Sequence, residues 1–156
     1  MARRYGRCPV GERLLCKEPW GHCETITFTG ALRLSGMTAP MILDGAMDGD
    51  AFRVYIRDFL VPTLRKGDIV IMDNLPSHKV SGIREAIEAV RAKLHYLPPY
   101  SPDLNPIEQA FSKIKAMLRK TGARSITTLY KAIARIIRSI SPSECAAYLN
   151  NSGYLV

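Results

Sequence analysis

A chain of 156 residues with 47% hydrophobic content is long enough to bury one core and too short for two typical domains. Its 22 Lys and Arg against 14 Asp and Glu leave a formal net charge of +8, which favours a polyanionic partner over a neutral or cationic one. No stretch approaches the roughly 18 apolar residues of a membrane span. Cys8, Cys16, Cys23 and Cys145 form none of the close pairs that hold zinc, and His22 beside Cys23 lacks a partner motif, so reduced thiols in a soluble intracellular protein are expected.

Residues 1–23 are rich in Arg, Gly and Pro without a sustained period and read as an irregular basic segment; 24–120 read as the core of a single domain and 121–156 as its C-terminal helices. Glu24 to Arg33 has the Thr, Ile and Phe content of a strand, and Pro40 to Leu43 predicts a second, short one closed by Asp44-Gly45, with Ser35-Gly36 as the hairpin turn. Phe52, Tyr55, Ile56, Phe59 and Leu60 are spaced as one face of a helix, with Asp48 and Asp50 at its start, ending near Pro62 to Gly67. Ile69 to Met72 is short, apolar and β-branched, the pattern of a buried central strand. Val80, Ile83, Ile87 and Val90 predict another helix, and Leu94 to Leu97 a further strand before the stiff loop Pro98-Pro99-Tyr100-Ser101-Pro102.

Asn105-Pro106-Ile107-Glu108 opens the next helix, with Asn105 as N-cap and Glu108 placed where a capping-box glutamate reaches back. Ile107, Ala110, Phe111, Ile114 and Leu118 share one face, while Glu108, Ser112, Lys115 and Arg119 share the neighbouring one, so a carboxylate heads a basic stripe. A helix from Ser125 places Ile126, Leu129, Ile133, Ile136, Ile137 and Ile140 inward, with Lys131, Arg135 and Arg138 outside. Ser141-Pro142-Ser143-Glu144 starts a last helix with a capping box that makes Glu144 structural. From Gln109 to Ser143 there is no acidic residue, and eight Lys and Arg fall in that interval, either a phosphate-binding track or a solvated basic face.

Asp73 ends the apolar run Asp68-Ile69-Val70-Ile71-Met72-Asp73, and Glu108 follows after 34 intervening residues. A carboxylate at a strand's end and another at a helix start suggest a site for hard divalent cations, which take oxygen ligands and keep waters that substrate phosphates can replace. Two-metal sites take three or more carboxylates, so this pair is incomplete by itself. Capping remains the competing account of Glu108.

The string Met72-Asp73-Asn74-Leu75-Pro76-Ser77-His78-Lys79, followed by Leu97-Pro98-Pro99-Tyr100-Ser101-Pro102-Asp103-Leu104-Asn105-Pro106-Ile107-Glu108, resembles the catalytic core of bacterial insertion-sequence transposases of the mariner-like DDE superfamily. The resemblance is strongest over residues 68–120. It implies an α/β, ribonuclease H-like fold, a mixed sheet flanked by helices in which three acids gather around two Mg²⁺ or Mn²⁺ ions. Asp73 matches the second acid and Glu108 the third.

In the family the first acid lies on the first strand, shortly before an Arg-Tyr-Gly-Arg-like segment. This chain begins Met1-Ala2-Arg3-Arg4-Tyr5-Gly6-Arg7, so that strand is expected upstream of Met1, and the segment that reads transposon ends is expected to be absent as well. Among substitutes, Asp44 suits a turn, Asp48 and Asp50 a helix start, and Glu24 and Asp103 structural positions. Loss of the central first strand is expected to leave Ile69 to Met72 with unpaired backbone and exposed apolar surface.

The resemblance further implies metal-dependent DNA cleavage and strand transfer, with Asp73 and Glu108 as metal ligands. Lys79, Lys113, Lys115, Arg119 and Lys120 are expected to hold the DNA backbone, and Asn74, His78 and Asn105 to approach the same site. Transposon-end and target DNA are the implied partners, together with a second copy or a full-length transposase, in a prokaryotic cytoplasm at the nucleoid. The competing reading is a catalytically inactive transposase that only binds DNA or pairs with the full-length protein. A third is the downstream part of a product completed by frameshifting or by a mistaken start.

Overall fold

The computed structural model describes residues 7–13 and 25–155. Expectations for Cys16, His22, Cys23, Glu24 and the remainder of the N-terminal segment lie outside the described residues; within it, residues 7–13 form no helix or strand.

β1 (Ile26–Arg33) and β2 (Gly36–Asp44) pair as an antiparallel hairpin from Ile26↔Asp44 to Arg33↔Gly36. The loop is Leu34-Ser35, and Gly36, at φ +134°, opens β2 in a conformation that side chains disfavour. β2 is longer than the Pro40–Leu43 expected from sequence. The register slips between Thr29 and Ala31, where β2 carries one extra residue; this bulge accommodates Pro40, which has no N–H for the ladder, next to Ala39 at φ +49°.

Asp48 caps α1 (Gly49–Val54), its carboxylate accepting from Ala51 N at 2.8 Å. The helix widens into a π-type turn over Tyr55–Leu60 and tightens over Val61–Thr63. Phe52, Tyr55, Ile56 and Leu60 are buried as the helical stripe predicts, but the widened turn rotates Phe59 outward, so the sequence placed one apolar residue too many in the core. β3 (Ile69–Met72), α2 (Ile83–Ala89) and β4 (Lys93–Tyr96) form a parallel β-α-β unit registered Ile69↔Lys93 to Met72↔Tyr96.

α3 (Ile107–Thr121), α4 (Ile126–Arg138) and α5 (Pro142–Asn151) pack on the other face of the hairpin. Ser125 and Thr128 form the capping box of α4, and Ser141 and Glu144 that of α5, as read from the sequence for α5. Ile126, expected to face inward, is exposed because it lies in the first turn, beyond the reach of α3 and the hairpin; Ile133, Ile136 and Ile140 are buried.

The hairpin thus separates two apolar clusters. Ala39 and Met41 join Phe52, Ile56, Ile83, Ile87 and Leu94 on one side. Phe28, Leu32 and Met37 join Ala110, Ile114, Ile136 and Cys145 on the other, with the Phe28 and Phe111 rings edge-to-face at 5.9 Å. This helix–sheet–helix layering has one irregularity: the sheet is in two pieces, β1-β2 and β3-β4. Ile69 and Ile71, read from sequence as part of a buried central strand, are 60% and 38% exposed, and among the described residues only β4 pairs with β3. The expectation of exposed apolar surface at this strand holds, and among the described residues no helix is long and apolar enough to cross a membrane.

Candidate metal and nucleic-acid site

Asp73 follows directly on β3, and Glu108 lies in the first turn of α3. The parallel pairing of β3 with β4 carries the chain from Asp73 over α2 and back, and the proline loop then returns it to the same end of the sheet. As a result Asp73, His78, Asn105 and Glu108, separated in sequence, line one cavity of about 370 Å³. Glu108 also borders a second, open groove of about 560 Å³ with Asp103, Asn105, Gln109, Ser112 and Asn151.

Asp73 Oδ1 is buried against His78 Nδ1, an ion pair only when the imidazole is protonated. The two atoms meet without hydrogen-bonding geometry, and neither they nor the buried Asn74 Oδ1 has another partner among the described residues. Such orphaned buried oxygens carry a free-energy cost that a bound cation relieves. The His78 ring is fixed from two sides: it stacks on Phe52 with centroids 4.1 Å apart, and Tyr96 Oη donates to its carbonyl at 2.7 Å. From sequence Phe52 and Tyr96 counted only as core or strand residues; the contact to His78 needs α1 and β4 to converge on the loop after β3, which no local pattern reveals.

The capping account of Glu108 does not hold. Pro106, not Asn105, is the N-cap of α3, and Pro106 itself already has helical φ/ψ; Asn105 Oδ1 accepts from Ile107 N at 3.4 Å, but the Glu108 carboxylate returns no bond to the Asn105 backbone and has no partner among the described residues. What fixes this helix start is a network absent from the sequence reading. Gln109 Nε2 donates to Tyr148 O at 3.2 Å and to Ser152 Oγ at 3.3 Å, Asn151 Nδ2 donates to Gln109 Oε1 at 3.1 Å, and Tyr154 Oη donates to Leu104 O at 2.9 Å. The end of α5 thereby clamps both the proline loop and the first turn of α3.

The basic residues divide into free and engaged groups. Ser112, Lys115, Arg119 and Lys120 are exposed along α3. Lys113 is turned inward and paired with Glu144, holding that carboxyl below the usual carboxylate range with help from Ser141 N–H. Lys79 is exposed and sits 5.8 Å from the Tyr96 ring centroid. Among the described residues no three His, Cys, Asp or Glu side chains are grouped to hold a metal ion, so Asp73 and Glu108 line the cavity as two hard oxygen donors and not as a complete ligand set.

A family model described as DDE superfamily endonuclease matches residues 1–130. The Tc1 transposable-element transposase of Caenorhabditis elegans is 28% identical over 147 residues, covering 86% of this chain and 52% of that protein, so the chain spans about half the length of the curated relative it matches. A Mos1 strand transfer complex superposes with a TM-score of 0.70 at 16% identity over 100% of this chain and 51% of the Mos1 chain. The Mos1 transposase catalytic domain solved with raltegravir and Mn gives 0.55 at 15% identity over 84% of each chain. The layered architecture is therefore ribonuclease H-like, and the chain belongs to the DDE superfamily endonuclease family.

Proposed function

We propose that this chain is the catalytic-domain unit of a DNA transposase of insertion-sequence type, which engages transposon-end and target DNA and uses Asp73 and Glu108 as carboxylate ligands for divalent metal. The observation that carries this reading is the convergence of the two carboxylates on one cavity, one with a buried oxygen that accepts no well-formed hydrogen bond and the other free of its capping alternative. The relation to a Mos1 catalytic domain solved with Mn supports the choice of Mg²⁺ or Mn²⁺.

Metal bound there supplies Lewis acidity at phosphate oxygens and lowers the pKa of a coordinated water, the two requirements of in-line phosphodiester displacement. Asp73 and Glu108 ligate, and His78 buttresses Asp73 from the buried side. Asn105 lines the same cavity with its Oδ1 accepting from Ile107 N–H, and Asn74 follows Asp73 with its amide oxygen buried. Lys115, Arg119 and Lys120 run away from Glu108 along the exposed face of α3 and hold DNA phosphates, with Lys79 at the other rim. These contacts position the backbone and carry little sequence information. Lys113, committed to Glu144, contributes to packing instead.

A second reading, DNA binding or pairing with a complete transposase without cleavage, is favoured by the absence of a third grouped acid among the described residues. One experiment separates the two. The chain is incubated with transposon-end duplex and Mg²⁺ or Mn²⁺, and binding and strand cleavage are measured for the native protein, Asp73→Asn and Glu108→Gln. Cleavage abolished by either substitution supports the first reading; salt-sensitive binding without cleavage supports the second. Neither binding nor cleavage sinks both.

A further inference from the structure

Glu108 owes its place to its neighbour in the chain. Its carboxylate has no partner among the described residues, and α3 begins without a side-chain cap. Glu108 N–H donates to Asn105 O and Gln109 N–H to Pro106 O, both at 3.2 Å, in the tighter i to i+3 pattern of a helix end. A first turn held by these bonds alone frays. Successive residues point about 100° apart around a helix, so Gln109 reaches α5 while Glu108 lines the cavity.

The Gln109 carboxamide is fully engaged there. Nε2 donates both its N–H groups, to Tyr148 O and to the hydroxyl of Ser152, a residue only 5% exposed, and Oε1 accepts from Asn151. A carboxamide matches this arrangement. A glutamate would set an oxygen against the Tyr148 carbonyl at the negative end of the α5 dipole, and an apolar side chain would remove all three bonds. The way α5 ends makes the contact possible: Gly153, at φ +86°, donates to Asn150 O and Tyr154 N–H to Leu149 O, both at 3.0 Å, a Schellman turn that swings the chain back across the start of α3. Tyr154 Oη then holds Leu104 O on the preceding loop, and Leu149 and Tyr154 line the same cavity as Asp73 and Glu108.

We propose that Gln109 is a positioning residue for Glu108, and that the end of α5, through Asn151, Ser152 and Tyr154, sets how tightly Asp73 and Glu108 hold a divalent cation. The inference rests on the metal reading above. A carboxylate ligand binds best when its approach is fixed before the ion arrives, because ordering it afterwards costs conformational entropy. Asp73 is fixed on its own side by His78. Glu108 has no such contact among the described residues, so its place comes through the backbone of the first turn of α3. That backbone is anchored by Gln109 within the turn and by Tyr154 on the loop before it.

The test titrates the full chain with Mn²⁺, followed by electron paramagnetic resonance of the free ion, and records amide exchange on the same proteins. Gln109→Met keeps the length of the side chain without its hydrogen bonds; it should weaken Mn²⁺ binding about tenfold or more, the range found for outer-shell partners of metal ligands. The Glu108 and Gln109 amides should exchange faster in that variant, with exchange in α4 unchanged. Tyr154→Phe removes one hydroxyl, should act in the same direction with smaller size, and carries the test should Gln109→Met fail to fold. Ser125→Ala loosens the start of α4, outside the cavity, and should leave Mn²⁺ affinity unchanged, which separates positioning from loss of stability. A native chain that binds no Mn²⁺, or whose binding survives Asp73→Asn, overturns the metal reading and this inference with it. Where native binding is lost in Asp73→Asn, an unchanged affinity in Gln109→Met or an equal loss in Ser125→Ala overturns this inference alone.

Discussion

The three-helix layer and the gap between β1 and β3 are both lined by isoleucine and phenylalanine, yet one is closed and the other open. In the helical layer, Ile114, Ile136 and Cys145 are buried, and the starts of α4 and α5 carry complete capping boxes. At the gap, Ile69 and Ile71 meet solvent, and among the described residues one edge of β1 and one of β3 have no strand partner. A helix satisfies its backbone within itself and needs only an apolar stripe against a neighbour, whereas a strand needs another strand for its hydrogen bonds. The same hydrophobic content therefore stabilises one region fully and the other only in part.

The sharpest contrast between the two comes from truncating isoleucine in each. Ile136→Ala should destabilise the chain by about 2–5 kcal/mol, since it leaves a cavity in a closed cluster; chemical denaturation measures it, and a loss below about 1 kcal/mol would show that the helical layer is not tightly packed. Next in size is the cap at Ser125, where Ser125→Ala should cost about 1 kcal/mol by removing the acceptor for Thr128 N.

The ion pair of Lys113 with Glu144 gives a smaller effect with a pH signature. The folded-state pKa of Glu144 is lowered, chiefly by Lys113, so its stabilisation is present above the unfolded carboxylate value and is lost as pH falls through the folded one. Melting temperatures of native protein and Glu144→Gln should thus differ at pH 7 and converge as the pH is lowered below the ordinary glutamate range. A difference independent of pH would locate the effect in packing. The smallest change is expected at the gap itself: Ile71→Thr should alter stability by no more than about 0.5 kcal/mol, because that side chain is already partly exposed. A loss as large as that of Ile136→Ala would mean the gap is closed in solution.

Along α3 the contrast extends to binding. Reversing Lys115 and Arg119 to Glu should weaken DNA affinity and flatten its dependence on salt, while Lys113→Gln should mainly lower thermal stability.

Local chemistry made much of this protein readable in advance. Asp48, Ser125 and Ser141 mark helix starts because each cap satisfies backbone N–H groups within three residues of itself. The stripes of α3 and α4 follow from the helical period, with Ile126 misplaced because a stripe does not say where the neighbouring helix ends. The length of β2 was missed because its bulge absorbs a proline that reads as a terminator. The motif around Asp73 and Glu108 named the pair of carboxylates, but not the Phe52 and Tyr96 contacts that hold His78 nor the Gln109 network that anchors α3, which join segments far apart in the chain.

The sequence by itself determined the starts of the helices that follow Asp48, Ser125 and Ser141, the basic face and the motif that singles out the two carboxylates, because caps, periodicity and motif are properties of short windows. Only the tertiary structure decided that Glu108 is free of its capping role, that Lys113 is paired with Glu144, and that β1 and β3 line one cavity instead of pairing. Those outcomes depend on which distant groups arrive beside a residue, and hydrogen-bond satisfaction between strands is settled there and nowhere earlier.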